Sequence, residues 1–88
     1  GQGPVLMEFW ATWCPSCKAL EPQLQRIART YAGRVRLVTV AVSVNQSPAR
    51  VRAYAAKYRL PGDIVWDAKG AATAAYDAPA TSYVVLLD

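Results

Sequence analysis

The stretch that decides the fold of this chain is FWATWCPSCK, residues 9–18. It overlaps the run VLMEFW over residues 5–10, which predicts a buried strand with one acid inside it. Downstream of its two cysteines, apolar residues recur at helical spacing over residues 20–31 and predict a helix. Cys14 and Cys17, with two residues between them, therefore lie where a buried strand passes into a helix.

The spacing of Cys14 and Cys17 favours redox chemistry over a structural disulfide. A disulfide stabilises mainly by restricting the unfolded chain, and a loop this short gains little in that way. If the helix begins at or just after Cys14, the helix dipole and the unpaired backbone N–H groups favour the thiolate, which is the attacking species. Cys14 is therefore predicted to attack a partner disulfide, and Cys17 to resolve the mixed disulfide.

Half of a metal site is the alternative interpretation of the two cysteines. A closed zinc site needs four ligands, and the chain contains two cysteines and no histidine. Carboxylates or a second chain would have to complete such a site. We therefore favour redox chemistry and expect no metal.

The rest of the chain alternates between strand and helix signals. Ser47-Pro48 predicts a helix start, with serine as the cap and proline in the first turn. The other predicted elements are a strand over residues 35–42, a short extended piece over 64–66, a short helix over 71–76 and a strand over 83–87. This alternation predicts an α/β fold with a largely parallel sheet, in one domain over residues 1–88.

Composition and charge exclude several classes of protein. Of 88 residues, 53% are hydrophobic and 18% are charged, which is typical of a packed globule. No apolar run approaches the roughly 18 residues of a membrane span. The net charge is +4, and the aromatic residues lie mostly in apolar runs, so nucleic-acid binding is not expected. The absence of histidine excludes histidine-based triads within the chain.

FWATWCPSCK resembles the active-site segment of the thioredoxin superfamily, and it is most similar to the TlpA/ResA/CcmG-like thiol-disulfide oxidoreductases. Pro22 matches the proline that bends the active-site helix of that family. The resemblance implies a thioredoxin-like fold with a central mixed sheet flanked by helices, and dithiol–disulfide exchange without a bound cofactor. Members of the family continue through another strand and a final helix, so we expect a fold truncated at its C-terminal end.

Four residues are candidates for substrate binding. Trp13 is expected to shelter the sulfur of Cys14 and to offer a flat apolar contact to a substrate peptide, with Pro15 beside it. The family places a cis-proline opposite the cysteines, where a substrate strand docks. In PATSYVV, residues 79–85, Ala80 occupies the proline position of the family pattern and Pro79 lies one residue early. Either Pro79 serves through a shifted loop or the cis-proline is missing, and we favour Pro79.

Glu8 is the remaining catalytic candidate, because it lies six residues before Cys14, where thioredoxins carry a buried acid. Burial would raise its pKa and let it move a proton to or from Cys17. The alternatives are a side chain that points to solvent and an ion pair with a cation such as Lys57. Glu21, four residues past Cys17, is predicted to be an exposed helix residue.

Four aromatic residues outside the two cysteines are interpreted as packing residues. Trp10 is assigned to the core, and Trp66 is expected to pack as well. Tyr54 and Tyr58 are four residues apart and are expected to form the core face of their helix.

The predicted function is a thiol-disulfide oxidoreductase that reduces protein disulfides outside the cytoplasm. The compartment follows from the resemblance alone. Apocytochromes c are one candidate substrate, a membrane-bound or soluble thiol reductant is expected upstream, and the protein is expected to be a monomer. The alternatives are a cytoplasmic, thioredoxin-like general disulfide reductase, and a non-catalytic thioredoxin-like module that binds a metal or a partner.

Overall fold

A computed structural model describes residues 3–76 and 81–87 of the chain. The helices and strands follow the alternation that the sequence predicts. In chain order they are β1 (Val5–Trp10), α1 (Pro15–Thr30), β2 (Arg36–Val42), α2 (Pro48–Tyr58), β3 (Asp63–Asp67), a 3-10 turn (Ala68–Gly70), α3 (Ala71–Ala75) and β4 (Val84–Leu87). Within these described ranges, no helix is long and apolar enough to cross a membrane.

The four strands form one mixed sheet in the order β3-β2-β1-β4. β2 pairs in parallel with β1 on one side and with β3 on the other. β4 is antiparallel to β1, with Val5 opposite Leu87 and Glu8 opposite Val84. The predicted mixed sheet of a thioredoxin-like fold is confirmed, whereas the strand and helix alternation by itself did not reveal the reversed direction of β4.

The core is concentrated at the carboxyl end of β1. Phe9, Trp10 and Ala11 are each at most 1% exposed, and they pack with both cysteines and with the end of β2. The predicted core position of Trp10 is therefore confirmed. Because parallel neighbours β1 and β2 end at the same edge of the sheet, the loops that follow them meet there. The cysteines enter the fold at this buried edge.

Local sequence signals explain the start of each long helix. The backbone N–H of Arg50 donates to the side chain of Ser47, which caps α2, and Pro48 occupies its first turn. α1 begins in the same way, with Cys14 as the cap and Pro15 in the first turn, and it contains Pro22. The predicted helix starts at residues 14–15 and 47–48 are thus confirmed.

Gly62 is required by a close backbone approach before β3. Its φ of +77° lies in the left-handed region, and a Cβ at this position would come within 2.5 Å of the backbone oxygen of Leu37. Only glycine fits such a position without strain. This approach lets the chain pass directly from α2 into the strand that pairs with β2.

Candidate functional site

Cys14 and Cys17 form a disulfide at the start of α1. Their Cα atoms are 5.3 Å apart, which is within the usual range for a disulfide. Cys14 is the cap residue of α1 and has an extended backbone, whereas Cys17 lies inside the first turn. The two sulfurs therefore occupy different positions relative to the helix N-terminus.

The surroundings of the Cys14 sulfur favour negative charge. The backbone N–H of Cys17 donates to this sulfur at 3.1 Å, and the hydroxyl of Ser16 lies 3.4 Å from it. The first turn of α1 contains no acidic residue, and the positive end of the helix dipole faces the cap. A thiolate at Cys14 would be stabilised by each of these features.

The Cys17 sulfur faces a different environment, 4.0 Å from the carbonyl oxygen of Phe9. A carbonyl oxygen accepts a hydrogen bond from a thiol but does not stabilise a thiolate. In this disulfide form Cys14 is 1% exposed and Cys17 is fully buried. Exposure in the disulfide form thus does not separate their roles.

Gln46 holds the loop between β1 and α1, a role that sequence reasoning missed. Its Oε1 accepts from the backbone N–H of Thr12 at 2.8 Å. Its Nε2 donates to the carbonyl oxygens of Val42 at 2.6 Å and Trp10 at 3.4 Å. One side chain in the loop after β2 therefore ties the end of β1 to the cysteine loop. A polar residue just beyond the carboxyl end of a neighbouring parallel strand is the signal that would have found it.

Trp13 lies at the surface next to Cys14, as expected for a substrate contact. Its side chain is 45% exposed, and its Nε1–H donates to the carbonyl oxygen of Val44 at 2.8 Å. Pro15 is also exposed. Trp13 is therefore held in a fixed orientation by the loop after β2 while its ring stays open to solvent.

Glu8 is buried within the sheet, with 3% of its surface exposed. Its Oε2 atom has no hydrogen-bond partner among the described residues. Burial and, to a smaller extent, the charge of Glu21 raise the pKa of Glu8 from 4.5 to about 7. The interpretation of Glu8 as a solvent-facing side chain is wrong. The ion pair with Lys57 is also not formed, because the Lys57 ammonium lies over the ring of Tyr58.

A small cavity of about 20 Å³ connects Glu8 to Glu21. Its wall also includes Trp10 and residues of α1, β2 and the loop before β3. A cavity of this size has room for one water molecule. The buried carboxyl of Glu8 therefore opens onto a space that a proton carrier can occupy.

Glu21 is half-buried and accepts a hydrogen bond from the hydroxyl of Tyr54 at 2.9 Å. The predicted exposure of Glu21 is wrong, because α2 packs close enough to cover it. The ring of Tyr54 stacks edge-on against Trp10 at 5.2 Å between centroids. Tyr58 is 47% exposed, so only Tyr54 of the expected aromatic pair faces the core.

The candidate cis-proline positions, Pro79 and Ala80, lie outside the described residues. The chain after them is joined to the end of β1. The N–H of Ser82 donates to the carbonyl oxygen of Phe9 at 2.7 Å, and the N–H of Phe9 donates to that of Tyr83 at 2.9 Å. The segment that follows Ala80 therefore runs beside the strand that leads to the cysteines.

A mixed sheet with a Cys-X-X-Cys disulfide at the start of the helix after β1 defines a thioredoxin-like protein. The family model described as Thioredoxin matches residues 1–62, so the chain belongs to the thioredoxin family. Among curated proteins, it is 39% identical over 67 residues to the thioredoxin-like protein YneN of Bacillus subtilis, covering 75% of this chain and 39% of that protein. It is 50% identical over 40 residues to thioredoxin C-2 of Corynebacterium nephridii, covering 46% of this chain and 37% of that protein.

Solved structures extend the likeness over almost the whole chain. StoA from Bacillus subtilis is 30% identical with a TM-score of 0.85, covering 99% of this chain and 66% of StoA. A secreted Mycobacterium tuberculosis disulfide oxidoreductase homologous to Escherichia coli DsbE is 24% identical with a TM-score of 0.79, covering 98% and 69%; at that identity the likeness concerns the fold. The predicted membership of the thioredoxin superfamily, with TlpA-like neighbours, is confirmed.

This chain spans about two fifths of the curated relatives named above. Within the described residues, no group of three or more histidine, cysteine or acidic side chains converges as a metal site would require. The expectations of no metal and no cofactor stay predictions.

Proposed function

We propose that this domain is a thiol-disulfide oxidoreductase in which Cys14 is the nucleophile and Cys17 the resolving residue. The observation that carries the proposal is the position of Cys14 as the cap of α1, with its sulfur accepting the N–H of Cys17. Backbone N–H groups and the helix dipole lower the pKa of a thiol at such a position. Cys17 lacks this environment because its sulfur faces a carbonyl oxygen.

The exchange proceeds in two balanced steps. The Cys14 thiolate attacks one sulfur of a substrate disulfide, that bond breaks, and the departing thiolate takes up a proton while a mixed disulfide forms. Cys17 then loses its proton, attacks the Cys14 sulfur and releases the second substrate sulfur, which is also protonated. Two electrons pass to the substrate, and the Cys14–Cys17 disulfide remains. A separate thiol reductant must restore the dithiol.

Glu8 is proposed to accept the proton that Cys17 loses. A general base works best when its pKa is near the working pH, and the pKa of Glu8 is raised to about 7. Glu8 lies on β1, and its carboxyl borders the cavity it shares with Glu21 of α1, the helix that carries Cys17. A water molecule in that cavity is proposed to carry the proton away from the buried carboxyl after each turnover.

The proposed substrates are protein disulfides, which dock across Trp13 and Pro15 and beside Pro79 and Ala80. The exposed ring of Trp13 next to Cys14 supports this placement. We further propose reduction outside the cytoplasm, with apocytochromes c as one candidate substrate. The similarity to StoA supports a TlpA-like role, and a cytoplasmic general reductase is the alternative.

Trapping of the mixed disulfide tests the assignment of the two cysteines. A Cys17→Ala variant, mixed with a peptide disulfide, is expected to accumulate a covalent adduct at Cys14, because no thiol remains to resolve it. The matched Cys14→Ala variant is expected to form little adduct. Mass spectrometry of the two mixtures gives the answer, and equal adduct yields from both variants would contradict the proposed roles.

A further inference from the structure

A groove on the surface beside Trp13 is formed mostly by residues that have no role in the proposed exchange chemistry. It has a volume of about 410 Å³ and lies between α2 on one side and the cysteine loop with the start of α1 on the other. We call it the basic groove. Its lining residues are Thr12, Trp13, Lys18, Asn45, Arg50, Ala53, Tyr54, Lys57 and Tyr58.

The basic groove contains three cationic side chains, Lys18, Arg50 and Lys57, and no acidic residue among its described lining. All three are exposed. None of them forms an ion pair within the described part of the chain, where the salt bridge found is between Arg36 and Asp63. The groove therefore has an uncompensated positive charge that an anionic ligand would neutralise.

Exposed aromatic rings accompany these charges. Trp13 is 45% exposed and Tyr58 is 47% exposed. The Lys57 ammonium lies 5.3 Å from the centroid of the Tyr58 ring, and the Lys18 ammonium lies 5.8 Å from that of Tyr54. Rings and cations together suit a ligand that offers carboxylates along with apolar or aromatic surface, as an acidic peptide does.

The position of the groove identifies where such a peptide would come from. Trp13 lines the groove and directly precedes Cys14 in the chain. A polypeptide whose disulfide reaches Cys14 would lay its neighbouring residues into this space. We propose that the basic groove binds an acidic segment of the substrate protein, adjacent to the cysteine that Cys14 attacks. This inference rests on the proposed function and adds the charge of the preferred substrate to it.

The inference is tested first by binding, without exchange chemistry. A fluorescently labelled acidic peptide with one aromatic residue and no cysteine is titrated with the disulfide form of the protein, and anisotropy is recorded. Removal of one exposed cation is expected to weaken binding by a factor of about 1.4 to 5, since exposed ion pairs contribute about 0.2–1 kcal/mol. Arg50→Gln and Lys57→Gln are the variants, and binding should weaken as salt is added.

Arg52→Gln is the matched control. Arg52 lies on the same helix and is exposed, but it does not line the groove. Two residues along a helix are about 200° apart around its axis, so Arg50 and Arg52 point to different sides. The substitution changes the net charge by the same amount, and binding of the acidic peptide is expected to stay within experimental error.

Reduction assays connect binding to turnover. Two peptide disulfides are compared as substrates of the reduced protein. The acidic peptide has acidic residues beside its cysteine, and the amide peptide has the corresponding amide residues at the same positions. The acidic peptide is expected to have the higher kcat/KM. Arg50→Gln is expected to reduce that advantage by about the factor by which it weakens binding, whereas Arg52→Gln is expected to preserve it. If neither peptide is reduced although the acidic one binds, the proposed function fails and the groove assignment stands on the binding result.

Three results would overturn the groove assignment. The first is an amide peptide that binds as tightly as the acidic one. The second is an Arg52→Gln variant that weakens binding as much as Arg50→Gln, because such a result would indicate general attraction to a basic protein. A single-stranded oligonucleotide that displaces the peptide and binds more tightly would assign the groove to nucleic acid instead.

Discussion

Replacement of Glu8 by glutamine is expected to stabilise the protein at high pH. The raised pKa of Glu8, about 7 against 4.5, means that the folded state holds a proton that the unfolded state has lost. Each pK unit corresponds to about 1.4 kcal/mol. Ionised Glu8 therefore costs the fold about 3 kcal/mol at pH values above both pKa values.

The sign of the effect follows from proton binding. The unfolded chain loses the Glu8 proton near pH 4.5 and the folded protein near pH 7, so between these values the folded state binds more protons. Its stability then falls as pH rises. The quantity to follow is the free energy of unfolding of Glu8→Gln minus that of the wild type, relative to its value at low pH, where Glu8 is protonated in both states. This difference should have grown by less than about 1 kcal/mol near pH 5 and by about 3 kcal/mol near pH 8.5.

Urea unfolding of the disulfide form measures this difference, because Cys14 and Cys17 do not titrate while they are bonded. Subtracting the wild-type free energy of unfolding from that of Glu8→Gln at each pH removes the contribution of the titrating groups that do not interact with Glu8. The cost of burying the glutamine amide is constant with pH and also cancels from the slope. A difference that stays flat between about pH 5 and pH 8.5 would refute a buried Glu8 with a raised pKa.

Four further substitutions test the contacts around the site. Glu21→Gln removes a charge that raises the pKa of Glu8, so that pKa should fall when followed by carboxyl ¹³C NMR; an unchanged value would contradict the coupling. Gln46→Ala removes three hydrogen bonds from the cysteine loop and should lower the free energy of unfolding by about 1–3 kcal/mol in urea titrations. Asp67→Ala should cost a similar amount, because Asp67 accepts from Ala72 and Thr73 at the start of α3. Burial by itself raises the pKa of Asp67, but these hydrogen bonds lower it overall. The stability that ionised Asp67 contributes should therefore be lost as the pH falls through this lowered pKa. Gly62→Ala should destabilise by more than about 1 kcal/mol, and an unchanged urea midpoint would show that the approach to Leu37 is looser.

Sequence reasoning was most effective where the signal is local. The alternation of strands and helices, the serine cap of α2 and the start of α1 at Cys14 each depend on residues within a few positions of one another. The family pattern added the mixed sheet, which alternation alone does not predict. Local rules therefore placed the cysteines at the end of a buried strand and the start of a helix.

The parts that sequence reasoning missed depend on contacts between residues far apart in the chain. Gln46 reaches Thr12 over 34 positions, and Tyr54 reaches Glu21 over 33. No local pattern shows that α2 would cover Glu21, since that depends on how the two helices pack on the sheet. The basic groove likewise combines residues from α1, the cysteine loop and α2.

Redox titration against glutathione tests the central claim most directly, because it asks whether Cys14 and Cys17 interconvert reversibly between dithiol and disulfide. The thiol content of the protein is measured by alkylation and mass spectrometry over a range of glutathione ratios. The account predicts one two-electron transition, below about −220 mV for a reductant. A transition near −120 mV would reverse the proposed direction to oxidation. A pair that forms no reversible disulfide at any ratio would contradict the oxidoreductase assignment altogether.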